Sequence, residues 1–61
     1  MKVSEVKKML REQDCYLYRE GRRHEIWVNR KTGKKFQVPR HGTQDVPPGT
    51  LKSIKRSAGI E

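Results

Sequence analysis

Two basic turns that carry glycine, Glu20-Gly21-Arg22-Arg23 and Asn29-Arg30-Lys31-Thr32-Gly33-Lys34, bracket the run His24-Glu25-Ile26-Trp27-Val28-Asn29. Glycine reverses a chain at little steric cost, and a short run rich in β-branched and aromatic residues between two reversals reads as a strand. A strand placed between two tight connections pairs with a neighbour on each side, so the middle of the chain is expected to be a three-stranded antiparallel meander. Tyr16-Leu17-Tyr18 supplies the first strand. Lys35-Phe36-Gln37-Val38, ended by Pro39, supplies the third. Gly21 and Gly33 are the expected positive-φ residues of the two turns. The period of two puts His24, Ile26 and Val28 on one side of the middle strand, with Phe36 and Val38 in the core and His24 at its rim. Glu25, Trp27 and Asn29 then fall on the other side, where Trp27 joins Tyr16 and Tyr18 on an open face.

Helical periodicity brackets the meander. Val3, Val6, Met9 and Leu10 form one apolar stripe behind Ser4, a good N-cap, so a helix is expected from about Ser4 to Gln13, with Asp14 and Cys15 as its exit. Glu5 in its first turn and Lys7, Lys8 and Arg11 further on agree with the helix dipole. After a polar, irregular stretch from Arg40 to Val46, the pair Pro47-Pro48 starts a second helix of about Pro48 to Ala58. Leu51, Ile54 and Ala58 line its inner face, Lys52, Lys55 and Arg56 its outer one. Gly59 is placed to end it in a left-handed conformation, with Ile60 packing back on the last turn. The order is α-β-β-β-α, an α+β domain spanning residues 1–61 in which two helices cover one face of a three-stranded antiparallel sheet.

The charge points to the partner. Lys and Arg number 15 against 7 Asp and Glu, a formal +8 with a pI near 10.2, which in so short a chain implies an anionic partner: nucleic acid first, then an acidic protein, then a membrane surface. The single cysteine, Cys15, forms no internal disulfide and reads as a structural thiol. Cys15, His24 and His41 match no zinc spacing, so neither a metal nor another cofactor is expected. The N-terminus has no apolar run, which argues against a signal peptide or a membrane span and for the cytoplasm.

The same element order, with His24-Glu25-Ile26-Trp27 after a glycine turn, Phe36-Gln37-Val38-Pro39-Arg40-His41, and Gly49-Thr50-Leu51-Lys52-Ser53-Ile54 running into Ala58-Gly59-Ile60, resembles the HicA-type toxins. These are YcfA-like mRNA interferases of type II HicA/HicB toxin–antitoxin pairs, and the likeness covers nearly the whole chain. It implies a fold like the double-stranded-RNA-binding domain, sequence-tolerant cleavage of messenger RNA that inhibits translation, and neutralisation by a HicB-type antitoxin that covers the active face. In the family a glycine-serine pair usually precedes the catalytic histidine, a place that Arg22-Arg23 takes here.

The residues themselves support that chemistry. RNA carries its own nucleophile, the 2′-hydroxyl, so one base suffices to start its cleavage, and an imidazole with an ordinary pKa of about 6.5 is matched to neutral pH. His24 is the candidate catalytic group. Arg22 and Arg23 flank it and suit the stabilisation of charge on phosphorus. Lys34, Lys35 and Arg40 beside the third strand and Lys52, Lys55 and Arg56 on the second helix suit the phosphate backbone. His41 is a second acid/base or a phosphate ligand if the start of strand two lies opposite the end of strand three. Tyr16, Tyr18 and Trp27 stack bases or are covered by a partner protein. Without the resemblance, three readings stay open: a ribonuclease, a non-catalytic RNA-binding module of the same fold, and a basic subunit that docks on an acidic protein. Only a histidine at a turn favours the first, and a solvated strand-start residue without a role is its bland alternative.

Overall fold

The computed structural model describes residues 1–60, in which Val3–Glu12 form α1, Cys15–Glu20 β1, His24–Asn29 β2, Lys35–Pro39 β3 and Pro48–Ala58 α2. The expected order and the antiparallel sheet are both present, with β2 in the middle of the strand order β1-β2-β3. On one side Leu17 faces Trp27, and on the other Trp27 faces Phe36, while His24 lies opposite Pro39. The β1–β2 register shifts between Leu17 and Arg19, so Tyr18 is the extra residue of a bulge.

Both helices pack on the same face of the sheet. Val3, Val6 and Leu10 of α1 and Ile54 and Ala58 of α2 meet Cys15, Trp27 and Val38 in one core, with Met9, Phe36, Leu51 and Ile60 half-buried at its edge. The burial of Cys15 agrees with a structural thiol, and that burial, with the charge of Asp14, raises its pKa against a smaller opposing effect of Lys31. Val46 is also buried in this core, although it lies in the stretch that reads as polar and irregular.

The middle strand faces the opposite way from the sequence expectation. Trp27 is in the core at 2% exposure, with Glu25 and Asn29 buried beside it, whereas His24 is exposed and shares the open face with Ile26 and Val28. The strand is apolar on both faces, so its period alone does not select one. Two things decide the orientation. Trp27 removes the largest apolar surface from water. Its polar neighbours also find partners inside: Glu25 Oε1 accepts from Trp27 Nε1 at 3.0 Å, and Asn29 Nδ2 donates to the Ser57 carbonyl at 3.3 Å. Val28 is covered between its register partners Tyr16 and Lys35. Tyr16 and Tyr18 are exposed as expected, without Trp27, each under a cation: Arg30 at 5.6 Å and Lys35 at 4.2 Å.

The start of α1 differs too. Lys2, not Ser4, holds the N-cap position of α1, with Glu5 Oε1 accepting from its backbone N–H at 2.9 Å. The next donors of the first turn reach across the molecule, Val3 N–H to Gln44 O at 2.9 Å and Ser4 N–H to Gly42 O at 3.2 Å. The loop before α2 thus shares the capping of α1 with Glu5, and no hydroxyl at the N-cap is required. Helix α2 matches its expected limits, with Pro47 at the N-cap and Gly59 left-handed at φ 75°. Gly33 is also left-handed, at φ 74°, but Gly21 is not, and its requirement for glycine has another cause.

Candidate active site

Gly21 donates its N–H to the carbonyl of His24 at 2.8 Å, and a Cβ at position 21 would stand 2.7 Å from that oxygen. Only glycine allows the turn to close so tightly on the strand that begins with the histidine. Arg40, just past β3, reaches over this turn: its Nη1 donates to Gly21 O at 3.1 Å and to Arg22 O at 3.3 Å, and its Nη2 lies 3.7 Å from Glu20 Oε2. A planar guanidinium with several fixed donors suits such bracing of two carbonyls at once. The residue read as a phosphate contact therefore holds the turn that carries His24.

A second brace lies beneath. Lys7 of α1 contacts Glu25 Oε1 at 2.9 Å and donates to the Arg40 carbonyl at 3.2 Å. Both side chains are largely buried, 15% exposed for Lys7 and 10% for Glu25. Burial opposes the charge on Glu25, but hydrogen bonds from Trp27 and Lys7, with the positive charge of Lys7 and Arg40, outweigh it and hold its carboxyl below the ordinary value. Helix α1, the start of β2 and the exit of β3 are thereby tied together directly behind His24. The sequence reading missed Lys7 and Glu25 in this role, because their meeting depends on the inward turn of the Glu25 face.

Around the outer edge of β3 runs an open groove of about 780 Å³. Arg23 and His24 form one end of its lining, Gln37 and Pro39 the strand side, and Gln44, Thr50 and Ser53 the side of the loop and α2. Of the residues expected at the site, His24 and Arg23 meet here. Arg22 is exposed on the adjoining turn, and His41 follows two residues beyond Pro39, the register partner of His24, without lining the groove. Lys35 pairs with Val28, four positions along β2 from His24 and so about 13 Å away at roughly 3.3 Å per residue. Lys34 belongs to the same distant hairpin, its carbonyl accepting from Asn29 N–H at 2.9 Å. Lys52 lines a separate recess of about 240 Å³ with Pro48, Leu51 and Lys55. The sequence reading passed over Gln37, Gln44, Thr50 and Ser53, which come from three separate segments and share no local pattern.

Among the described residues no three His, Cys, Asp or Glu side chains gather as they would around a metal ion, and no helix is long and apolar enough to cross a membrane. Compared with family models, residues 3–60 match the model described as the HicA toxin of bacterial toxin–antitoxin systems. The chain belongs to the HicA toxin family. That match takes in every element of the fold and both braces behind His24. Membership makes this a toxin-type chain of a toxin–antitoxin system, the counterpart of an antitoxin. Among curated proteins, none matches the chain.

Proposed function

We propose that this HicA-family chain is a metal-independent endoribonuclease that cuts messenger RNA and so inhibits translation, with His24 as its general acid/base and a HicB-type antitoxin as its inhibitor. The observation that carries the proposal is an exposed imidazole at the end of a groove, beside Arg23, on a turn braced from two sides. In the reaction His24 takes the proton of a 2′-hydroxyl as that oxygen bonds to the adjacent phosphorus. The bond from phosphorus to the 5′-oxygen breaks, and the leaving oxygen takes a proton from water. The products are a 2′,3′-cyclic phosphate and a 5′-hydroxyl end. Arg23, and Arg22 from the adjoining turn, offset the negative charge that accumulates on the phosphoryl oxygens. The basic surface supplies affinity for the backbone.

Incubation of purified protein with RNA tests this, run with and without excess EDTA and alongside His24→Ala. Cleavage should persist in EDTA and fall about 10²–10⁴-fold in the variant, the range of general acid–base catalysis. Binding without cleavage in the wild type would instead favour a non-catalytic RNA-binding module.

A further inference from the structure

The groove beside His24 is lined by more than a phosphate requires. Half-buried Phe36, with Pro39 and Pro47, supplies the apolar part of the lining, and Gln37, Gln44, Thr50 and Ser53 supply polar side chains. Gln37, Gln44, Thr50 and Ser53 are all exposed, and none of the four side chains has a hydrogen-bond partner among the described residues. Two carboxamides offer donors and acceptors in fixed pairs, and two hydroxyls offer both at one atom. An aromatic side chain in one lining with uncommitted groups of that kind fits a planar heterocycle with donors and acceptors on its edge. A phosphate backbone would call for cations, and Arg23, at one end, is the only lysine or arginine in the lining. The volume, about 780 Å³, is ample for one nucleobase with its ribose.

We infer that this groove is a nucleobase subsite that holds the base adjacent to the scissile phosphate, stacked on Phe36 and read along its edge by Gln37 and Gln44. Sequence-specific recognition of RNA depends on unstacked bases laid on apolar or aromatic surfaces and hydrogen-bonded at their edges, and this groove has both parts. With one base in reach of the polar groups, the cut is biased toward a nucleotide without a strict sequence requirement. The inference rests on the ribonuclease reading for its consequence, but not for its binding.

Binding is tested first, with His24→Ala protein, by titrating AMP, CMP, GMP, UMP and ribose 5-phosphate separately while following the amide and side-chain carboxamide resonances by NMR. The four nucleotides should bind with different affinities and shift the side-chain signals of Gln37 and Gln44, and ribose 5-phosphate should not. Equal affinities, or shifts as large with ribose 5-phosphate, would overturn the subsite whether or not the wild type cuts RNA. Mapping of cleavage sites on a random-sequence RNA pool follows. Wild-type protein should show a nucleotide bias next to the cut, and Gln37→Ala or Gln44→Ala should flatten it by about 3–10-fold, the effect of one hydrogen bond. Variants that bind the antitoxin less well but leave the cleavage bias unchanged would assign the groove to the partner protein and contradict the inference. Nucleotide binding in the groove with no RNA cleavage by the wild type would remove the ribonuclease reading and leave the subsite standing.

Discussion

Glu25 is the residue that most directly connects stability to the site, because its buried carboxylate lies between Lys7 and Trp27 immediately after His24. Its pKa in the folded chain is held below the ordinary value, so the interaction stabilises the fold fully above the unfolded pKa of about 4.3. As pH falls below that value the unfolded state takes up the proton first, and the contribution is lost as pH passes through the lower folded value. Melting temperature should therefore fall below about pH 4.3 more steeply in the wild type than in Glu25→Gln, which has no charge to titrate. Identical slopes in thermal melts across that range would show that the Lys7–Glu25 pair does not hold the site together. Removing the carboxylate also leaves the Lys7 ammonium partly buried without its counter-charge, so Glu25→Gln should be destabilised by about 1–3 kcal/mol at neutral pH.

At the scale of elements, the second helix carries the clearest expectation. Ile54 is 3% exposed in the shared core, and an aspartate there would have to be buried without a partner, at a cost comparable to the whole stability of a small domain, about 5 kcal/mol. Ile54→Asp should show no cooperative thermal transition by circular dichroism. A sharp melt at the wild-type temperature would mean that α2 does not pack as described. This helix was legible in the sequence because proline marks its start, glycine its end, and its apolar residues keep a helical spacing between them. The central strand was legible in its limits, His24 to Asn29, but not in its orientation. Ile26 and Val28 point one way and Trp27 the other, and the deciding partners, Lys7 and Ser57, lie far off in the chain. The same non-locality hid the part of the α1 cap that comes from Gly42 and Gln44, and the groove, whose polar lining is assembled from β3, a loop and α2. His24 and Arg23 could be found because they are neighbours in sequence. The bracing of their turn by Arg40 could not, since a basic residue beside a strand looks the same whether it binds phosphate or the chain's own carbonyls.

The whole molecule carries a formal +8 distributed over both ends of the sheet, with Arg22 and Arg23 at the His24 end and Lys34 and Lys35 on the far hairpin. RNA affinity should accordingly fall with salt, the logarithm of the binding constant declining by about 0.7–0.9 per phosphate neutralised. Fluorescence anisotropy over a range of KCl concentrations measures the slope, and a value near zero would mean that stacking on exposed aromatics such as Tyr16 and Tyr18 outweighs charge. A HicB-type antitoxin that binds only the folded toxin should raise its stability by about 2.7 kcal/mol at a hundredfold excess over Kd. In the proposed reaction His24 activates a hydroxyl that belongs to the RNA itself. Single-turnover cleavage distinguishes this with two short RNAs, identical except that one carries 2′-deoxyribose at the cut position. The all-ribose strand should be cut to a 2′,3′-cyclic phosphate, and the substituted strand should not be cut at that position. Cleavage of the substituted strand at an undiminished rate would rule out the 2′-hydroxyl as nucleophile, since the attacking oxygen would then come from elsewhere.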